Sequence, residues 1–131
     1  MESDIVIVGG GLNGLVMALA ASAAGLGTTL IDAGAPAPVD GGFDGRSYAM
    51  ALASQRLLAG LGLWDTLRPA AQPILEIKVS DARVGQPPSP MFVHFDHAEI
   101  EEGPMGFMVE DRHLRAACQD AVAASDITCH Y

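Results

Sequence analysis

Apolar residues follow two different patterns along this chain. The first is continuous: Ile5, Val6, Ile7 and Val8 form an unbroken β-branched run behind Asp4 and in front of glycines. A run without polar alternation predicts a strand covered on both faces, as in a parallel sheet. Leu12 to Ala24 is rich in alanine and leucine and free of proline, which predicts a helix. Gly25 is placed to end it. Gly27 to Asp32 predicts a second strand, completing a β-α-β unit of about thirty residues.

The pattern then becomes periodic. Ala33 to Asp44 contains Pro36, Pro38 and the pair Gly41-Gly42, which predicts a loop. In Arg46 to Leu61, the spacing of Ala49, Leu52, Ala53, Leu57 and Leu58 predicts a helix closed by Gly60 and Gly62, with one further turn at Leu63 to Leu67 before Pro69. Residues 74 to 80 have strand character from their two-residue period. A proline-rich turn at Gly85 to Pro90 follows, then two strands, Met91 to Phe95 and Met105 to Val109. Glu110 to Ala124 is amphipathic, with Leu114, Ala117, Cys118, Ala121 and Val122 on one helical face. Asp126 to Tyr131 predicts a last strand, expected beside the first.

Together these elements predict an α/β fold: a Rossmann-like β-α-β module with a parallel sheet, plus the beginning of a separate antiparallel sheet. Residues 1–72 would hold the β-α-β unit and its following helix. Residues 73–109 would hold strands of a second domain, and residues 110–131 would return to the first sheet. The terminal strand has no successor, so the sequence reads as part of a longer enzyme.

Composition narrows the options. Half of the 131 residues are hydrophobic, so a packed core is expected. Sixteen acidic residues against seven lysines and arginines leave no basic patch, which argues against nucleic acid as a partner. Cys118 and Cys129 fit neither a disulfide framework nor a zinc pattern and are expected to be reduced thiols. No segment resembles a signal peptide or a membrane span, so the expected compartment is the cytoplasm.

The chemistry lies in Gly9-Gly-Gly11-Leu-Asn-Gly14, a G-x-G-x-x-G between a predicted strand and a predicted helix. Each glycine has its own task in such a loop. Gly9 permits the tight turn out of the strand. Gly11 lets the backbone approach a pyrophosphate, and Gly14 lets the helix pack against the sheet. The amides of Leu12 and Asn13 and the positive end of the helix dipole would face the phosphates. Asp32 ends the second strand, 23 positions after Gly9. A carboxylate there accepts hydrogen bonds from ribose hydroxyls and repels a 2′-phosphate. This pattern predicts a dinucleotide and leaves FAD and NAD undistinguished.

The segments Asp4 to Gly14, Asp44-Gly-Arg-Ser-Tyr-Ala-Met-Ala-Leu52 and Gly103-Pro-Met-Gly-Phe-Met-Val-Glu-Asp-Arg112 resemble successive blocks of the ubiquinone-biosynthesis hydroxylases. These belong with the para-hydroxybenzoate-hydroxylase-like flavoprotein monooxygenases. The resemblance runs over essentially the whole chain and implies FAD as cofactor. It matches Arg46 to an arginine near the FAD pyrophosphate and Arg112 to a residue contacting the ribityl and phosphate region. Guanidinium groups suit that role because they bind phosphate oxygens in pairs. The resemblance also implies NAD(P)H as reductant, O2 as co-substrate and a phenolic ring as the site of hydroxylation. A polyprenylated phenol would bring the enzyme to a membrane surface or into a ubiquinone-biosynthesis complex. The family's later Asp-Gly and Gly-Asp blocks do not occur in this sequence, and no catalytic acid or base is assigned in it.

Other readings stay open at this point: a different FAD-dependent oxidoreductase of amine oxidase or dehydrogenase type, or a nucleotide-binding module without catalysis. His94, Asp96, His97 and Glu99 form a metal-like cluster, but solvated polar residues on a strand explain them equally well, and no metal is expected. Ser47 and Ser54 lack a nucleophile elbow.

Overall fold

The computed structural model describes residues 3–37, 42–100 and 102–131. Pro38 and Gly41 of the expected loop lie outside the described residues. The β-α-β unit forms as the sequence predicts, from β1 (Ile5–Val8), α1 (Leu12–Ala23) and β2 (Thr28–Ile31). The strands β1 and β2 are parallel, with Ile7 opposite Leu30 and Val8 opposite Ile31. Gly25 takes a positive φ of 82° just after α1, the left-handed geometry that ends a helix.

The next segment differs from expectation. Ser47–Ala51 is a strand, β3, and only Leu52–Gly60 is helical, as α2. Arg46 therefore leads into a strand and does not open a helix. Small residues at three- and four-residue spacings are compatible with either state, and tertiary pairing decides between them. The partner is β7 (Gly106–Glu110), antiparallel to β3 and remote in sequence. A Cβ at Gly106 would overlap the Met50 carbonyl, so glycine is needed for the two strands to approach.

A short helix, α3 (Trp64–Leu67), follows, then β4 (Gln72–Ile74) and β5 (Glu76–Ser80). β4 pairs with β7, giving a three-stranded sheet in the order β3-β7-β4. The boundary drawn at residues 72 and 73 thus falls inside β4, and strands from both sides of it share one sheet. β5 forms an antiparallel ribbon with β6 (Phe92–Asp96). One side of the ribbon carries Ile77, Val79, Val93 and Phe95, all exposed.

The chain returns through α4 (Asp111–Ala123) to β8 (Thr128–His130). β8 lies beside β2, not β1, and the sheet order is β1-β2-β8. Three strands ordered this way are one half of a doubly wound nucleotide-binding sheet. The parallel sheet is also covered unequally. The Ile7 and Leu30 side meets α1 and the core, whereas Val6 and Val8 are 55% and 81% exposed. The continuous apolar run of β1 thus presents Ile7 to the core and Val6 and Val8 to a face that the described residues leave exposed.

One core joins these parts. Leu15 and Ala18 of α1, Leu30 of β2, Leu58 of α2, Trp64 and Leu67 of α3, Val109 of β7 and Leu114, Ala117, Cys118 and Val122 of α4 form a single buried cluster. The Trp64 ring meets Phe107 edge to face at 4.8 Å, tying α3 to the antiparallel sheet.

Candidate functional site

The glycine loop links β1 to α1, and the three glycines at the fixed positions of its G-x-G-x-x-G are separable by geometry. Gly9 has φ of 109°, a turn conformation that L side chains rarely adopt. A Cβ at Gly14 would collide with the Gly9 carbonyl oxygen and lie close to Ile7 Cγ2, so close packing of α1 on the strand requires glycine there. Gly11 has ordinary extended backbone, φ −71° and ψ 177°, and a Cβ on it would meet no atom within 4 Å. Nothing in the chain itself demands a glycine at that position. The space beside it is open, as backbone approach to a ligand requires.

Gly11 is also the N-cap of α1, and no side chain caps this helix. Its first intrahelical bond runs from Leu15 N–H to the Gly11 carbonyl at 2.9 Å. The amides of Leu12, Asn13 and Gly14 precede that bond, so they point out of the helix end. No acidic side chain lies in the first turn to neutralise the dipole.

Asp32 stands directly after β2, where its own N–H donates to the His130 carbonyl at 2.9 Å. Its carboxylate accepts from Gly10 N–H at 2.5 Å and from Gly34 N–H at 3.1 Å. These bonds, the one from Gly10 foremost, hold its pKa below the usual carboxylate value. Each carboxylate oxygen retains an acceptor position, so Asp32 is an ionised acceptor locked against the glycine loop.

Two cavities flank the loop. One, of about 840 Å³, is lined by Gly9, Leu12, Asn13, Met17, Tyr48 and Met50 among others. The other, of about 670 Å³, is lined by Asp32, Ala35, Arg46, Gln119, Val122 and Tyr131 among others. They share two residues, Gly11 and Arg115. The structure thus brings Gly9, Gly11, Leu12, Asn13, Gly14, Asp32 and Arg46 around one contiguous region. Arg112 lines neither cavity. Its Nε donates to Glu110 at 2.6 Å.

Three residues here were missed in the sequence. Asp111, Tyr48 and Arg115 form a cluster with Arg46 where β3 and β7 meet the start of α4. Asp111 is 2% exposed. It accepts from Arg115 Nε at 3.0 Å and Nη2 at 2.9 Å, and from the Tyr48 hydroxyl at 3.0 Å. Arg46 Nη2 lies 3.4 Å from it, and the Arg46 carbonyl accepts the Asp111 N–H at 3.0 Å. The Arg115 hydrogen bonds, followed by the Tyr48 bond and the arginine charges, hold the Asp111 pKa down against its burial. The four-residue spacing of Asp111 and Arg115 on a helix was a signal of an ion pair. Its burial depended on β3, which the sequence reading had made helical.

The polar cluster on the ribbon takes a different form from the one in the sequence reading. Glu76, from the neighbouring strand, joins His94 and Asp96, and their donor atoms lie within 4.8 Å of one another. The Lys78 ammonium lies 2.7 Å from the Glu76 carboxylate, so a cation already compensates it. His97 Nδ1 lies 3.1 Å from the Leu75 carbonyl and 3.2 Å from the Asp96 carboxylate.

A strand-glycine loop-helix with open amides at the helix end, an ionised acid at the end of the second strand and a half of a doubly wound sheet define a dinucleotide-binding module. The FAD-binding-domain family matches residues 2–117, and the chain belongs to that family. Over 116 residues it is 48% identical to ubiquinone hydroxylase UbiL of Rhodospirillum rubrum, covering 88% of this chain and 26% of that protein. It is 34% identical over 125 residues to 3-demethoxyubiquinol 3-hydroxylase of Escherichia coli, covering 93% and 30%. Among solved structures, HpxO of Klebsiella pneumoniae in complex with FAD and uric acid superimposes with a TM-score of 0.66 at 18% identity, over 95% of this chain and 30% of that one. The chain therefore spans under a third of the length of these relatives. The likeness to HpxO is one of fold.

Proposed function

We propose that this chain is the FAD-adenosine-binding part of a monooxygenase that hydroxylates a polyprenylated phenol or related aromatic ring in ubiquinone biosynthesis. The observation that carries the reading is the 48% identity to a ubiquinone hydroxylase across 88% of the chain. The geometry supports FAD as the dinucleotide. Gly11 leaves room for a pyrophosphate, the amides of Leu12, Asn13 and Gly14 are available to it, and Asp32 is an ionised acceptor for the ribose. Gly9 and Gly14 hold the loop in shape, and Arg46 adds a cation at the cavity that contains Asp32. Arg112 has the same proposed role towards the ribityl and phosphate region, although its Nε is engaged by Glu110. When bound, FAD would supply the redox chemistry, with NAD(P)H as reductant and O2 as oxygen source. The part played by these residues is to bind and orient it.

No helix among the described residues is long and apolar enough to cross a membrane. The proposed compartment is the cytoplasm, with a polyprenylated substrate reached at a membrane surface.

The test uses protein made from the complete reading frame. The expected result is a yellow protein with a flavin spectrum that consumes O2 and NAD(P)H when given a polyprenylated phenol and returns the hydroxylated ring. A colourless protein that takes up no FAD on reconstitution would overturn the cofactor assignment. A flavoprotein that oxidises an amine or alcohol and leaves phenols untouched would overturn the hydroxylase assignment.

A further inference from the structure

We propose that Arg115 is a phosphate-binding residue of this site and that Asp111 positions it. The inference rests on the reading of the cavities as a dinucleotide site, and it adds two residues to that site.

Arg115 and Gly11 are the two residues shared by both cavities. A ligand with its ribose at Asp32 that continues past the open side of Gly11 must pass between them. What lies at that junction is the middle of the dinucleotide, its pyrophosphate. The helix end beside Gly11 offers amides from one side, and Arg115 offers a guanidinium from α4.

The guanidinium is also prepared for such a ligand. A guanidinium carries five N–H donors. Asp111 takes two of them, through Nε and Nη2. The remaining three, two on Nη1 and one on Nη2, are not engaged by Asp111. A carboxylate fork on one edge fixes the plane of the group and leaves the other edge to bind an anion in paired fashion.

Asp111 itself does not confront the ligand. Its side chain is 3% exposed, and it is surrounded by Arg115, Tyr48 and Arg46. Buried among donors, it acts through the two arginines and not by contact. Arg46 is shared with Asp44, whose carboxylate accepts its Nε at 2.8 Å and its backbone N–H at 3.0 Å. Arg46 thus divides its charge between two acids, whereas Arg115 has one partner and a free edge. This difference assigns the larger phosphate contribution to Arg115. The chain carries a net charge of −9, so directed donors have to act against an unfavourable overall field.

The experiment measures ADP and adenosine binding by calorimetry to protein from the complete reading frame, stripped of flavin. Adenosine fills the ribose subsite and lacks phosphate, so it reports whether the site is still folded. In Arg115→Met, ADP affinity should fall about tenfold to a hundredfold, the range for a charged hydrogen-bonded pair, with adenosine affinity unchanged. Arg115→Lys should lie between Met and wild type, and it carries the test should the methionine variant not fold. Asp111→Asn, which keeps an acceptor for Arg115, should lose less ADP affinity than Asp111→Ala. Equal ADP affinity in wild type and both Arg115 variants would overturn the phosphate role. Equal losses of ADP and adenosine affinity in the Asp111 variants would reduce Asp111 to a structural residue and overturn its positioning role. A wild-type protein that binds neither ADP nor FAD would instead overturn the reading of the site as a dinucleotide site.

Discussion

Gly11 and Gly14 lie three residues apart in one motif, yet the structure gives them opposite sensitivities. A valine at Gly11 adds three carbons to an extended backbone with φ near −71°, a region open to any L-residue. Its Cβ meets no atom within 4 Å, so branching at this position starts in open space. The folding cost is that of replacing an N-cap glycine by a poorer capping residue, about 1 kcal/mol or less. For a domain of this size that lowers Tm by roughly 3–6 °C. FAD binding should nevertheless be abolished, because the side chain fills the space beside the helix-end amides. Gly14→Ala inverts the result. One methyl group is driven into the Gly9 carbonyl, a backbone atom that cannot rotate away. Overpacking of this kind costs about 1–3 kcal/mol, and α1 must lift from β1 to relieve it. Thermal unfolding of the flavin-free protein and titration with FAD, each on both variants, separate the two effects. A Gly11→Val protein with wild-type FAD affinity would refute the location of the pyrophosphate. A Gly11→Val protein that unfolds more readily than Gly14→Ala would refute the steric argument.

Further consequences can be checked individually. Asp32→Asn should weaken FAD and ADP binding while the protein stays folded, measured by calorimetry. The folded-state pKa of Asp32 is depressed, so its stabilising effect is present above the unfolded value of about 3.9 and disappears as pH falls through the lower folded value. Adenosine affinity should accordingly be flat from about pH 5 upward; a loss centred near pH 6 would assign the ribose contact to another group. Burial pushes the Cys118 thiol up to about 11, so a thiol reagent at pH 8 should modify Cys129 well before Cys118, as read by mass spectrometry of the peptides. The sign on stability is the reverse of that for Asp32: the Cys118 contribution is full below the unfolded thiol pKa of about 8.5 and is lost as pH rises through about 11. Trp64→Ala should destabilise the protein by about 3–5 kcal/mol in denaturant titrations, since the ring is buried and packs on Phe107.

Local signals carried most of the cofactor loop. The β-branched run of β1, the G-x-G-x-x-G and the terminal Asp32 each follow from nearby residues, and the structure adds why Gly9 and Gly14 are glycines. The amphipathic face of α4 was also legible, down to Leu114, Ala117, Cys118 and Val122. The failures all involve distant partners. Ser47–Ala51 becomes a strand because β7 supplies its hydrogen bonds. The placement of β8 beside β2 depends on how α4 crosses the sheet. Asp111 and Arg115 were an ordinary four-residue pair on a helix until Tyr48 and Arg46 closed over them.

The sheet order has a temporal meaning. Two segments remote in sequence meet at the Asp32 cavity. Ile31 pairs with His130, and Asp32 N–H is held by the His130 carbonyl. Pairings so distant in sequence close late, because the loop entropy between them opposes contact until both ends are structured. During synthesis the glycine loop and α1 can form early from adjacent residues, whereas the Asp32 end of the site waits for β8. On the proposed assignment of the adenosine to this cavity, flavin binding is expected to follow the pairing of β8 with β2, with a flavin signal that rises as the chain folds as the readout.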